Sequence, residues 1–173
     1  MSRITKTPEG LLVAEGVTIL PGTYRNFAGL PDQFNPGGGK RYFNFVIDDP
    51  EAAQEMKNDG WNVKIKPPRE EGDTPFCYLK VAVAFPKPGS RARDLDIAMF
   101  KSSGVNKLDE STIGLLDRAY ITKANIVVRP YNWDQNDPLK KAAYVQELHA
   151  YVQEESHFSA DYDDFADENP FDE

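Results

Sequence analysis

Phe76-Cys77-Tyr78-Leu79-Lys80-Val81-Ala82-Val83-Ala84-Phe85 alternates along its whole length, with Cys77, Leu79, Val81, Val83 and Phe85 on one side and Phe76, Tyr78, Lys80, Ala82 and Ala84 on the other. A period of two is the pattern of a strand with one face in a core. Upstream, residues 61–66 repeat it, placing Trp61, Val63 and Ile65 opposite Asn62, Lys64 and Lys66. Arg41–Ile47 reads as an aromatic-rich strand, and residues 11–19, 23–27, 95–100, 120–129 and 142–153 as further strands. Asp49 before Pro50 is an N-cap with proline at the first helical position, so Pro50–Asn58 is predicted to be a helix ended by Gly60. Residues 109–118 read as a second short helix with acids in its first turn. Residues 30–40 are a loop punctuated by Pro31, Asn35-Pro36 and Gly37-Gly38-Gly39. Short strands with two small helices predict a mainly β protein, a closed or nearly closed barrel.

The 173 residues suit one domain, or one domain and a tail. Hydrophobic residues make up 40% of the chain and aromatics 12%, enough to build a core. No apolar run approaches a membrane span, residues 1–6 lack the apolar stretch of a signal peptide, and the single cysteine, Cys77, excludes an internal disulfide. These features predict a cytoplasmic protein with no membrane contact. The net charge of −8 is unevenly spread. Of 28 acids, nine lie in residues 154–173, which hold no lysine or arginine; the other 19 face all 20 bases of the chain. A near-neutral body thus carries a strongly acidic tail in which Phe158, Tyr162, Phe165 and Phe171 are interleaved, a composition for docking rather than independent folding. The expected organisation is a flexible N-terminus over residues 1–10, a folded domain over 11–153 and an interaction tail over 154–173.

Catalytic constellations are missing from the pattern, so a non-enzyme without cofactor or metal is expected. Gly37-Gly38-Gly39-Lys40-Arg41 fails as a phosphate loop, because Phe34 stands where the first glycine belongs and Arg41 where a serine or threonine belongs. Neither His149 nor His157 has a nearby nucleophile and acid in a recognisable arrangement, Cys77 reads as a core thiol, and helix capping accounts for Asp49.

Bases interleaved with aromatics are abundant instead: Tyr24-Arg25-Asn26-Phe27, Lys40-Arg41-Tyr42-Phe43-Asn44-Phe45, Trp61 to Lys66, Tyr78-Leu79-Lys80 and Arg129-Pro130-Tyr131-Asn132-Trp133. Single-strand binding uses this combination, cations tracking phosphates and aromatic faces stacking bases. The polar side of residues 61–66, with Asn62, Lys64 and Lys66, is read as groove; Trp61 on the other side is core or stacker. Arg41–Ile47 offers two faces, and the arginine sharing a side with Phe43 marks that side for the ligand. Trp133 stands at a loop mouth, where it stacks or packs.

The order Tyr24-Arg25-Asn26-Phe27-Ala28-Gly29, Phe34-Asn35, Arg41-Tyr42-Phe43-Asn44-Phe45-Val46-Ile47, Gly60-Trp61-Asn62-Val63-Lys64 and Arg129-Pro130-Tyr131-Asn132-Trp133 resembles the single-stranded DNA-binding proteins of tailed bacteriophages and prophages. The resemblance implies an oligonucleotide-binding (OB) five-stranded barrel that coats single-stranded DNA in phage replication and recombination. It places Arg25, Phe27, Asn35, Arg41, Phe43, Asn62, Lys64 and Trp133 on the DNA; the interleaving adds Lys40, Lys66, Tyr78, Lys80, Arg129 and Tyr131. Asp167-Glu168-Asn169-Pro170-Phe171 is similar to the acidic tip of bacterial single-stranded DNA-binding proteins, which docks in replication and recombination proteins, although here Asp172 and Glu173 follow Phe171. A competing reading is a protein-interaction or virion-assembly barrel that binds no nucleic acid.

Overall fold

The computed structural model describes residues 2–33, 36–137 and 139–153. In chain order the strands are β1 (Arg3–Lys6), β2 (Leu12–Val17), β3 (Arg41–Ile47), β4 (Val63–Lys66), β5 (Phe76–Val83), β6 (Asp96–Lys101), β7 (Gly104–Lys107), β8 (Ile121–Asn132) and β9 (Lys141–Val152), with helix α1 (Pro50–Asn58) between β3 and β4. Antiparallel pairs join β2 to β8, β8 to β9 and β3 to β5, whereas β5 meets β9 in parallel at Ala82 and Tyr144. The ring is completed just beyond β2. The Val46 N–H donates to the Thr18 carbonyl at 2.8 Å, the Leu20 N–H donates to the Asn44 carbonyl at 2.9 Å, and Ile19 pairs with Phe45. Five strands, β2-β3-β5-β9-β8, therefore close into a barrel of OB type, as the sequence predicted.

Alternation decides what fills it. Cys77, Leu79, Val81 and Val83 of β5 are buried together with Phe43, Phe45 and Ile47 of β3 and Trp61 and Val63 at the start of β4. Inward residues of β2, β8 and β9, among them Ala14, Val17, Ile126, Val128, Val145 and Leu148, complete the same core. The β9 strand carries an extra residue between the partners of Val127 and Val128, a bulge that bends it around the barrel. Outside the ring, β1 lengthens the sheet beside β2, and β6 with its hairpin partner β7 lies parallel to β9. β4 takes the free edge of the first half of β5, and Trp61 continues that edge by bridging to Lys141 of β9.

Helix α1 begins as its sequence requires. The Asp49 carboxylate accepts from the Glu51 N–H at 3.0 Å, Pro50 opens the helix, and Ala53 and Met56 are buried against the barrel. It ends at Gly60, whose φ of +105° is a left-handed value. Two expectations are corrected in the neighbouring segments. Residues 23–27 form a 3-10 turn at Gly22–Tyr24 and a single pairing of Asn26 with Tyr42 rather than a strand; residues 109–118 form a 3-10 turn at Ile113–Asp117 rather than an α-helix. In both places side-chain hydrogen bonds replace regular backbone pairing, as described below for Arg25 and Asp117. Arg3–Lys6 form a strand that pairs with β2, and β7 has no counterpart in the alternation pattern because all four of its residues are exposed.

Gly60 ties the helix to the β8–β9 loop. The Lys141 N–H donates to its carbonyl at 3.0 Å, and a Cβ there would lie 2.7 Å from the backbone of Leu139. Gly60→Ala is expected to destabilise the protein by about 2 kcal/mol or more, combining backbone strain with the collision. Urea unfolding checks this as a lower midpoint at unchanged slope.

Candidate nucleic-acid interface

The outward residues of β3, β4 and β5 lie side by side because strand register aligns them. Lys64 is opposite Tyr78, which is opposite Val46; Lys80 is opposite Asn44; Ala82 lies between Tyr42 and Tyr144, and Tyr144 is opposite Arg129. Asn62, Lys64, Lys66, Tyr78 and Lys80 share a groove of about 310 Å³ with Tyr24, Tyr42 and Asn44. A second groove of about 570 Å³ adjoins it, lined by Lys40, Arg41, Phe85 and Tyr144; Tyr42 and Lys80 line both and form the ridge between them.

Several cations of this face lie over aromatic rings. Lys80 Nζ is 4.4 Å from the centre of the Tyr42 ring, Lys66 Nζ 5.6 Å from that of Tyr78, and the Arg129 guanidinium 5.0 Å from that of Tyr144. Such contacts hold a cation in place while leaving its charge uncompensated by a carboxylate. Tyr24 meets Tyr78 edge to face at 5.5 Å, and Tyr131 meets Tyr144 at 5.9 Å. Tyr42 is anchored from behind, its hydroxyl donating to Asp32 at 3.1 Å. Burial, reinforced by Asp32, pushes the Tyr42 phenol above its ordinary range, so it stays protonated at neutral pH. The Asn44 amide donates to the Tyr24 carbonyl at 2.7 Å and fixes that ring at the groove's edge. Chemically the surface offers cations beside the partly exposed rings of Tyr24, Tyr78 and Tyr144, with Tyr42 buried beneath Lys80, a combination suited to phosphates and unpaired bases.

Several expected contacts prove to be structural. Phe43 and Phe27 are fully buried and stack on each other at 5.4 Å. The outward side of β3 is therefore the one with Tyr42, Asn44 and Val46, which reverses the face assigned from Arg41 and Phe43. Arg41 shares the inward side but sits at the strand's end. Its guanidinium escapes the core, donating to the Phe27 carbonyl at 2.7 Å and lying 5.7 Å from the centre of the Phe85 ring. Arg25 is buried and donates to the carbonyls of Leu20, Leu116 and Ala119 at 2.9–3.1 Å. Its burial lowers its pKa from the usual arginine value, with the charge of Asp117 opposing that shift. Asp117 in turn accepts from the Phe27 and Ala28 N–H groups at 2.7 and 2.9 Å. This pair clamps the β2–β3 loop to the 3-10 turn before β8, a role for Arg25 that removes it from the exposed face.

Trp61 is core, only 2% exposed, whereas Trp133 is 57% exposed in the β8–β9 loop with Lys140 Nζ 5.2 Å from its ring centre. Tyr131 is exposed too. Asn35, and the tail residues Asp167, Glu168, Asn169, Pro170 and Phe171, lie outside the described residues. Sequence reasoning missed Tyr24, Tyr42, Asn44 and Tyr144 as lining residues. The signal for the first three was present: once Phe43 and Phe45 are assigned to the core, alternation turns Tyr42 and Asn44 outward, and Asn44 holds Tyr24. Tyr144 is found only through its register with Arg129 and Ala82.

A closed barrel in this strand order, with a groove of cations and rings across its central strands, is of the oligonucleotide-binding (OB) fold type. Residues 1–169 match the family described as "Putative phage ssDNA-binding domain", and the chain belongs to that family. Among curated protein sequences there is no match. Among solved structures it is similar to the single-stranded DNA-binding protein from bacteriophage Enc34 in complex with ssDNA, with 12% identity and a TM-score of 0.47 over 89% of this chain and 93% of that one. A further structure of the Enc34 protein gives 13% and 0.46 over 94% and 99%. The single-stranded DNA-binding protein gp2.5 encoded by bacteriophage T7 gives 16% and 0.34 over 97% and 95%.

The two faces respond differently to truncation. Phe43→Ala is expected to lower stability by about 3–5 kcal/mol by opening a core cavity. Lys64→Ala, on the exposed side of β4, is expected to change it by less than about 0.5 kcal/mol. Denaturant unfolding monitored by tryptophan fluorescence measures both.

Proposed function

We propose that this protein binds single-stranded DNA without regard to base sequence, coating and protecting it during phage DNA replication and recombination in the host cytoplasm. The observation that carries the reading is the outer face of β3, β4 and β5, where Lys64, Lys66 and Lys80 alternate with Tyr24, Tyr42 and Tyr78 over one groove. Membership of a phage ssDNA-binding family supports it. The second groove, with Lys40 and Arg41, and the pair Arg129 and Tyr144 extend the track toward β8. Cations there take the backbone, and rings take the bases.

Binding to oligo(dT), followed by fluorescence anisotropy at several salt concentrations, tests the proposal. With four to five phosphates neutralised, log K is expected to fall with log salt at a slope of about −3, from roughly −0.7 per contact. Duplex of equal length is expected to bind far more weakly, since paired bases offer no face for stacking. Tyr78→Ala should lose about 1–3 kcal/mol of affinity, the usual worth of one base stacked on an aromatic side chain. A slope near zero, or binding to another protein but to no oligonucleotide, would overturn the reading in favour of a protein-interaction module.

The acidic tail has a place in the same proposal. Nine carboxylates with interleaved aromatics imitate phosphates and bases, and tethering raises their local concentration at the barrel toward the millimolar range. The tail competes with DNA for the basic face, and displaced tail recruits replication or recombination proteins through Asp167 to Phe171. Deleting residues 156–173 is expected to tighten oligo(dT) binding, most at low salt where screening is weakest. Equal affinities for the full and shortened chains across the salt range would leave the tail no competitive role.

A further inference from the structure

Farther along the edge of β9 that β5 meets at Tyr144, β6 and β9 run in parallel and place Asp96 beside Glu147, with His149 next but one along the strand. One ligand atom from each of Asp96, Glu147 and His149 lies within 4.8 Å of the other two, and all three side chains are half-buried. Two carboxylates directly paired across a strand repel. Among the described residues neither has a lysine or arginine within ion-pair distance; Asp96 meets His149 Nε2 at 3.3 Å, and Glu147 enters no side-chain hydrogen bond or ion pair. The Phe100 ring packs on the imidazole at 5.2 Å and on Tyr151 at 5.0 Å, which supports one side of the histidine. Asp96 stands 53 residues before His149 in the chain, so the cluster exists only once β6 docks on β9.

From this geometry we infer a binding site for a divalent transition-metal ion, with Asp96, Glu147 and His149 as its protein ligands. Two oxygens and one imidazole nitrogen suit zinc and its neighbours in the series better than calcium or magnesium, which favour all-oxygen shells. Convergence on one ion turns the repulsion between the paired carboxylates into attraction. It also joins the β6–β7 hairpin to the barrel strand β9, so the ion acts as a clip on the fold. The remaining coordination positions face outward and are filled by water.

The test uses the full-length chain and does not depend on DNA binding. Zn²⁺ titration by calorimetry is expected to show one site that weakens at least tenfold in Glu147→Gln and in His149→Ala, and is unchanged in His157→Ala. Co²⁺ is expected to develop visible absorption in the wild type that both ligand variants lose; carboxylates of the tail, which lack an anchored imidazole, do not reproduce that dependence on His149. Saturating Zn²⁺ should raise the Tm of the wild type by roughly 5 °C and leave that of Glu147→Gln in place. The inference is overturned if the wild type takes up no Zn²⁺ or Co²⁺, or if both ligand variants bind them as the wild type does. Normal oligo(dT) affinity in these variants separates this site from the proposed DNA face.

Discussion

The short backbone pairing of residues 18–20 with β3 is the constraint on which the rest depends. Without it, β3 would be the open edge of a curved sheet, and Phe43 and Phe45 would face water. With it, the ring closes and every strand of the barrel has a buried side and an outer side. Closure also removes two edges that would otherwise expose unpaired amides. The outer surface of β3, β4 and β5 is then a rigid platform, since each outward side chain stands on a backbone fixed by neighbours.

Polar side chains do the work of secondary structure where the chain departs from strand pairing. Between β2 and β3, Arg25 binds carbonyls of the 3-10 turn before β8 while Asp117 binds amides of the loop. Asn26 bridges Leu30 through both of its amide atoms, donating at 2.8 Å and accepting at 3.0 Å. Buried groups of this kind are stable only when their partners are all present, and their partners hold the rim of the groove. The same loop therefore shapes the site with residues that never reach its surface.

Charge on the molecule is organised by location rather than by total. A chain of net charge −8 carries a face on which Lys66 and Lys80 lie against the rings of Tyr78 and Tyr42. Elsewhere cations are neutralised: Arg3 by Glu15 at 2.7 Å, and Lys6 and Lys141 by Asp59 at 2.9 and 3.4 Å. The hydrogen bond from Lys6 and the charge of Lys141 hold the Asp59 carboxyl below its usual range. Ion pairing thus stitches α1 to β1 and β9, while Lys66 and Lys80 of the proposed binding face rest on tyrosine rings.

Much of this was legible in the residues because local periodicity maps directly onto two sides of a strand. The alternation of residues 61–66 and 76–85 identified β4 and β5, separated Lys64, Lys66 and Lys80 from Trp61, Val63 and Leu79, and Asp49-Pro50 marked the start of α1. Where both sides of a strand are aromatic, periodicity gives no sign. In β3 the choice between Phe43 and Tyr42 followed from which side packs on Phe27 and β5, a fact of tertiary contact. Arg25 looked like a phosphate ligand by its neighbours in sequence, yet its partners Leu116 and Ala119 stand over 90 residues away and only folding brings their carbonyls to it. Tyr144, and the cluster of Asp96 with Glu147 and His149, likewise arise from register between distant strands. Local sequence determined which residues alternate; long-range pairing decided which of their faces meets solvent.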